Sequence, residues 1–400
     1  MLRILLIICL LASNAVANTM SEKIQAIAEE KIYSHKTAGM VVLVQQGGEI
    51  QYLQAFGFAY LKEGGRNIRK PIPMQTDTIF DLASITKVLA TTQAVMMLIH
   101  ENKLHLDDKV SAFLPQFNMS DKMNITIYDL LTHSSGLSPW QPLYIHAKNQ
   151  QEAINYIAKF PLAYKTGTNQ IYSDLGFIVL GAVVEKITGQ LLDVYLQENL
   201  YDRLGLADTG FNIGEDKRLR AAATSWNNLF EQNMLSQGKY GVKEKPNMFK
   251  NWRNYTLQGE VDDGNAYYAL GGVAGHAGLF STAADVSKLM QLMLNGGTMN
   301  GVEFYSPDIM AQFATRQDAN PNLKGRAIGF DYDRDYMGKN RPQGTFGHIG
   351  FTGGCLALNR AQNLGIIILT NRENIGMDSV GNYTGFNDLC TAIMDVVWES

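Results

Sequence analysis

The chain has 400 residues, 46% hydrophobic and 18% charged, with 34 Lys+Arg against 38 Asp+Glu and a formal charge of −4. This composition supports a large buried core and excludes disordered, collagen-like and coiled-coil classes; a near-neutral balance without long runs of one sign argues against a nucleic acid or an anionic membrane surface as partner. Three cysteines, none in a Cys-x-x-Cys spacing, make neither a disulfide framework nor a zinc knuckle, so no metal and no cofactor is expected.

Met1-Leu2-Arg3, an apolar run from Ile4 to Ala12 and then Ala15-Val16-Ala17 follow the order of a charged start, an apolar stretch and a small-residue cleavage site. Residues 1–17 are therefore expected to be a signal peptide, and residues 18–400 a single catalytic domain of an exported, periplasmic and soluble protein. The apolar run falls short of the roughly 20 residues needed to span a bilayer. Cys9 lacks the small residue before it that a lipid attachment site needs. Cys355 and Cys390 remain, and the sequence leaves open whether they bond.

A helix is expected from Thr19, where Thr19-x-x-Glu22 reads as a capping box and Ile24, Ile27, Ala28 and Ile32 share a face. Met40 to Val44 and Ile50 to Phe56, joined by Gln46-Gly47-Gly48-Glu49, read as a hairpin. Ser84 to His100 is apolar nearly all round, as a buried helix is. Further helices are expected at 127–132, 150–158, 175–188, 190–200 and 282–295. Residues 212–262 are polar and read as a long excursion of loops. Strands return at Arg326 to Tyr332, Gly344 to Phe351, Cys355 to Asn359 and Gly365 to Thr370, before a closing helix from about Gly385 to Trp398. Strands at both ends with helices between them predict an α+β fold, an α/β/α sandwich. Its mostly antiparallel sheet is built from about 18–80 and 300–400, and an all-helical subdomain, about 85–295, is inserted.

Ser84-Ile85-Thr86-Lys87 opens the most apolar helix. At spacing i, i+3 the two side chains share a face, so the lysine amine can reach the serine hydroxyl. A serine is a weak nucleophile until a base takes its proton, and burial favours the neutral, basic form of lysine. Ser-x-x-Lys alone is a common pattern, which a capping serine with a solvated lysine explains better. The flanking Ile85, Val88 and Leu89 argue against a solvated lysine here.

The run from Ile79 to Leu137, with FDLASITKVLA and ITIYDLLTHSSGL, resembles the serine β-lactamase and penicillin-binding-protein superfamily in its class C-like branch. The likeness continues through YKTGTNQIYSDLGF, GGVAGHAGLFS and GHIGFTGG. VDD at 261–263 and GHAGLFS at 275–281 narrow it to the periplasmic low-molecular-mass proteins of type 4B. The resemblance implies Ser84 as nucleophile and Lys87 as its proton-handling partner, with Tyr172 of Tyr172-Ser173-Asp174 shuttling the proton. It also implies His348-Ile349-Gly350 as the third motif, on an edge strand, and the Phe351 N–H as an oxyanion donor opposite that of Ser84.

Asp174 stands where the superfamily carries Asn; as a carboxylate it only accepts hydrogen bonds and favours the lysine ammonium, which moves the base role toward Tyr172. A plain N-cap of the following helix carries equal weight for it. His348 stands for a lysine that binds substrate carboxylate in many relatives; mostly neutral at pH 7, it is expected to hydrogen-bond Tyr172 instead. Lys165-Thr166-Gly167 spells the third motif but precedes Tyr172, and is expected to be a surface loop. His276 is expected to be bonded to backbone, Glu260, Asp262 and Asp263 to form a solvated face, and His133 to be structural.

The activity implied is that of an exported serine hydrolase forming an acyl-enzyme on D-Ala-D-Ala-type peptidoglycan peptides, as a D,D-carboxypeptidase does, or on β-lactams. Two alternatives are a penicillin-binding module that acylates but scarcely turns over and a promiscuous esterase. Small molecules or peptidoglycan peptides are the only partners implied, and the oligomeric state is not legible.

Overall fold

Met40 to Val44 is apolar with no polar face, a pattern stable only where both faces of a strand are covered. In the computed structural model, which describes residues 20–119, 121–318 and 326–400, this run forms β1 (Gly39–Gln46), buried along all but its last residue. β1 lies inside a seven-stranded antiparallel sheet with β2 (Glu49–Glu63), β3 (Arg66–Pro73), β4 (Asp331–Tyr332), β5 (Phe346–Ile349), β6 (Cys355–Asn359) and β7 (Leu364–Thr370). The order is β4-β5-β6-β7-β1-β2-β3, so Met40 faces Phe56 on one side and Thr370 on the other. The sheet is thus closed by the two ends of the chain.

The two-residue period of a strand assigns the faces. Val41 and Leu43, with Ile367 and Leu369 of β7, join the larger core, which the helices Thr92–His100, Asp174–Thr188 and Ala283–Leu294 fill. Met40, Val42 and Val44, with Ile366 and Ile368, join a second core under helix 20–33 and helix Asn387–Trp398. A disulfide between Cys355 of β6 and Cys390 of the last helix staples that layer. The expected sandwich of helix, sheet and helix is the observed one. The expected signal peptide, residues 1–17, lies outside the described residues.

Several expectations are corrected. Arg326 to Tyr332 is not one strand: Gly329, at φ +82°, turns the chain so that Arg326 and Asp331 face each other, bridged at 3.1 Å between Nη1 and Oδ1. β3 goes unread because Arg66–Pro73 is polar, exposed and holds two prolines, which only an edge strand tolerates. The insert is not all-helical: Phe80–Asp81, Leu279–Ser281 and Gly210–Phe211 form a three-stranded sheet. Nor is 212–262 merely loops, since Ala223–Trp226 pairs with Thr256–Gln258 and Leu229–Gln237 is a helix. Arg253 pins this excursion from within, its Nη1 and Nη2 donating to the carbonyls of Val261 and Asp262 and its Nε to Asn228 Oδ1.

Candidate active site

Asp81 ends a short strand, and its side chain shapes the turn that carries Ser84. Its Oδ1 accepts the Ala83 N–H at 2.8 Å, and Ala83 adopts φ +44°, a left-handed conformation that costs a non-glycine residue roughly 1–3 kcal/mol. The chain then tightens into a 3-10 turn, Ala83–Ile85, and a π-turn, Lys87–Thr91, before the α-helix Thr92–His100. The helix expected from Ser84 is therefore wound three ways, and its π-turn opens at Lys87.

Lys87 is fully buried, and its Nζ donates to Ser84 Oγ at 3.0 Å, Asp174 Oδ1 at 2.7 Å and the His276 carbonyl at 3.1 Å. Those three acceptors use all three protons of an ammonium. Burial alone would lower its pKa, but the carboxylate of Asp174 and the phenol of Tyr172 raise it above the ordinary lysine value. Lys87 in this state thus holds a proton toward Ser84 instead of taking one.

Tyr172 lies beside the pair, its ring 4.8 Å from Lys87 Nζ and 5.5 Å from the Arg326 guanidinium. Its hydroxyl is buried without a hydrogen bond of normal geometry. Burial raises its pKa, and the neighbouring Lys87 and Ser84 partly oppose that rise. His133 fixes the segment: its Nδ1 accepts the Ser173 N–H at 3.0 Å. The cap of helix Asp174–Thr188 is Ser173, whose Oγ accepts the Gly176 N–H, so the N-cap reading of Asp174 is corrected. Asp174 is the counter-ion of Lys87.

His348 and Gly350 come from the opposite side. β4 pairs only Phe346 and Gly347, which leaves His348 and Ile349 on the open edge of β5. Burial lowers the His348 pKa to about 4, so the ring is neutral near pH 7. It does not bond Tyr172 as expected: Nδ1 contacts the Ile349 carbonyl at 2.7 Å, Nε2 has no partner, and the ring centroids are 5.9 Å apart. Gly350 allows the strand end to press against the serine turn, for a Cβ there would stand 2.5 Å from the Leu82 carbonyl. Thr352 Oγ1 adds a hydrogen bond to the Asp81 carbonyl at 2.7 Å. The N–H groups of Ser84 and Phe351 are left without a backbone partner among the described residues. They are free to receive a developing oxyanion.

These residues open on a cleft of about 390 Å³, lined by Ser84, Tyr172, Asp174 and Phe351 and closed by residues that the sequence reading missed or misplaced. Glu231, on helix Leu229–Gln237, lines it with no local signal to announce it. Asp262 and Asp263 line it too and are not a solvated face: Asp262 N donates to Asp81 Oδ2 at 2.7 Å, and Asp263 Oδ1 binds His276 Nε2 at 3.0 Å. Burial tends to raise the Asp263 pKa, but His276 and Lys87 hold it below the ordinary value. His276 therefore bonds a carboxylate, not backbone as expected. Its place is set by Gly275, where a Cβ would stand 2.0 Å from the Phe177 carbonyl. Glu260, partly exposed, accepts from Tyr255 and pairs with Arg218 away from the cleft lining. Lys165 is exposed, while Thr166 and Gly167 bond the carbonyls of Ser135 and Ser134. Among the described residues no cluster of His, Cys, Asp and Glu is placed to hold a metal ion.

A family model described as Beta-lactamase matches residues 19–385. The chain belongs to this family of serine hydrolases. A Bacillus subtilis (strain 168) protein named "N-acetylmuramyl-L-alanine amidase" is 36% identical over 353 residues, 84% of this chain and 77% of its own length. An Escherichia coli (strain K12) protein named "Putative D-alanyl-D-alanine carboxypeptidase" is 34% identical over 351 residues, 83% of this chain and 78% of its own. The fold is shared with EstCE1, described as a hydrolase with promiscuous acyltransferase activity, at TM-score 0.71 and 22% identity, covering 96% of this chain and 99% of that one.

Proposed function

We propose that this member of the family is an exported hydrolase that forms an acyl-enzyme on Ser84, acting on peptidoglycan peptides of the D-Ala-D-Ala type or on β-lactams. The observation that carries this reading is the Ser84 hydroxyl held 3.0 Å from Lys87 Nζ beside two unoccupied N–H donors. Ser84 Oγ attacks the carbonyl carbon while the N–H groups of Ser84 and Phe351 bind the oxyanion. The serine proton passes to Tyr172 Oη as the tyrosine's own proton passes to the leaving nitrogen or oxygen, so no free phenolate is needed despite the raised pKa. The bond to the leaving group breaks, and water then attacks the ester, restoring the serine and releasing the acid. Lys87 stays an ammonium throughout, oriented by Asp174.

The printed names of the amidase and carboxypeptidase relatives support cell-wall peptides as the substrate class. Export rests on residues 1–17, and the disulfide accords with an oxidising compartment. Among the described residues no single helix is long and apolar enough to cross a membrane. A second reading, an esterase, is favoured by His348: a neutral ring does not capture a substrate carboxylate as a lysine would.

Intact mass after incubation with penicillin, a pentapeptide and a p-nitrophenyl ester tests the assignment. A transient adduct on Ser84, absent in Ser84→Ala together with ester turnover, is expected. An adduct that persists for hours makes the chain a penicillin-binding module, and a Ser84→Ala variant hydrolysing at the parent rate removes Ser84 as nucleophile.

A further inference from the structure

The Phe351 N–H sits in a tight turn that follows β5. Gly350 N donates to the Gly354 carbonyl at 2.8 Å, and Gly353 N donates to the Gly350 carbonyl at 2.9 Å, which closes a turn with Phe351 and Thr352 at its corners. The peptide between those two residues is the middle unit of the turn, the one that the closing hydrogen bond does not hold. Its carbonyl has no backbone donor among the described residues. Arg372 supplies two: Nε and Nη2 donate to the Phe351 oxygen at 2.9 and 2.6 Å, so both lone pairs are taken. The guanidinium is itself fixed. It is buried, its Nη1 donates to the Thr384 carbonyl at 2.7 Å, and its central carbon lies 5.0 and 4.7 Å from the ring centres of Phe351 and Phe386. The preceding Asn371 ties the same corner to the sheet, accepting the Gly39 N–H at 2.9 Å and donating to the Ala59 carbonyl at 2.9 Å. Arg372 is not part of the cleft lining, so it reaches substrate only through Phe351.

A planar fork on one carbonyl sets the direction of that carbonyl as well as its place, which a single donor does not. An oxyanion donor is worth most when it is already aimed before the charge develops. The geometry points to Arg372 as the positioning residue of the oxyanion site: it locks the middle peptide of the 350–353 turn and so keeps the Phe351 N–H directed at the carbonyl that Ser84 attacks. This inference rests on the Ser84 hydrolase reading and adds to it a residue outside its three motifs.

Two variants and one inhibitor test it. Phenylboronic acid adds the Ser84 oxygen to its boron as the serine proton leaves to water, and the tetrahedral adduct places a boron-bound oxygen on the two N–H groups, as the reaction does. Arg372→Lys keeps the charge but has no fork; it is expected to lower kcat on p-nitrophenyl acetate roughly 10- to 100-fold while KM moves within about threefold. The inhibition constant for phenylboronic acid rises by a similar factor. Arg372→Ala, with no donor, loses more of both than Arg372→Lys. Rates are taken per folded chain, measured by urea unfolding; should Arg372→Ala not fold, Arg372→Lys and phenylboronic acid decide. An unchanged kcat per folded chain in Arg372→Lys, or a lower kcat with unchanged affinity for phenylboronic acid, overturns the positioning role and leaves the hydrolase intact. A parent chain that turns over no ester and forms no Ser84 adduct overturns the hydrolase reading itself, and the positioning role with it.

Discussion

The two walls of the cleft are built in opposite ways. On the serine wall Lys87 has each proton placed, to Ser84, Asp174 and the His276 carbonyl, and its positive charge is matched by the carboxylate beside it. On the facing wall three carboxyl groups, Glu231, Asp262 and Asp263, crowd together, and burial raises the pKa of Glu231 and of Asp262. One wall thus holds matched opposite charges, the other like charges whose repulsion and burial favour taking up a proton. Asp81 joins the two, since Oδ1 holds the Ala83 N–H on the serine side and Oδ2 the Asp262 N–H on the acidic side.

The sharpest break is expected from Tyr172→Phe, which removes one oxygen from the serine wall. On the proton relay proposed for Ser84 and Tyr172, kcat falls roughly 10²- to 10⁴-fold with little change in KM. A fall in KM-limited binding alone, with kcat preserved, would place Tyr172 outside the relay. Asp174→Asn is expected to lower kcat roughly 10- to 100-fold. It removes the carboxylate that holds the Lys87 pKa up and leaves burial, which pulls it down. The alkaline limb of the pH–rate profile therefore moves to lower pH; a limb that stays or moves upward refutes Lys87 as the ammonium that the reaction needs.

Asp81→Asn loosens the joint between the walls. With one acceptor in place of two it is expected to cost roughly 1–3 kcal/mol of stability at low pH. Burial raises the Asp81 pKa from 3.8 to about 7. Between those values the unfolded chain ionises this group while the folded one keeps it protonated, so the parent protein loses stability as pH rises. The amide does not titrate, and the gap between parent and variant should narrow from pH 5 to pH 8 in urea unfolding. A gap that widens contradicts the assignment. The smallest effect belongs to Lys165→Ala, expected to leave kcat/KM within about twofold, because the side chain is exposed and off the cleft lining.

The same division decides what was legible in the sequence. Ser84 and Lys87 stand one turn apart in an apolar run, so a short pattern carries them, whereas Tyr172 and His348 are legible only through the resemblance of their motifs to those of the family. The strands of β1, β6 and β7 are legible because their apolar runs need two covered faces. Glu231 has no such pattern: it depends on a Gly264 N–H and on a polar segment that Arg253 folds from within, both long-range facts. Asp262 and Asp263 mislead because adjacent carboxylates in a polar stretch read as solvated, and only the backbone and imidazole partners that tertiary folding supplies make them interior. Ala83 hides its strain for the same reason, since alanine gives no hint of positive φ without Asp81 to hold it.

The seam between β1 and β7 also sets a timetable. Met40 pairs with Thr370, so this inner strand of the sheet is made some 330 residues before its partner. At the ordinary pace of synthesis, about 5–20 residues per second, β1 waits roughly 15–65 s with one edge open. Throughout that interval the unpaired N–H and C=O groups of that edge lie beside the apolar run Met40 to Val44, the condition in which a strand pairs with another chain. Chains ending before Leu364 leave that edge open for good, so partial products of this protein should aggregate rather than accumulate as folded fragments.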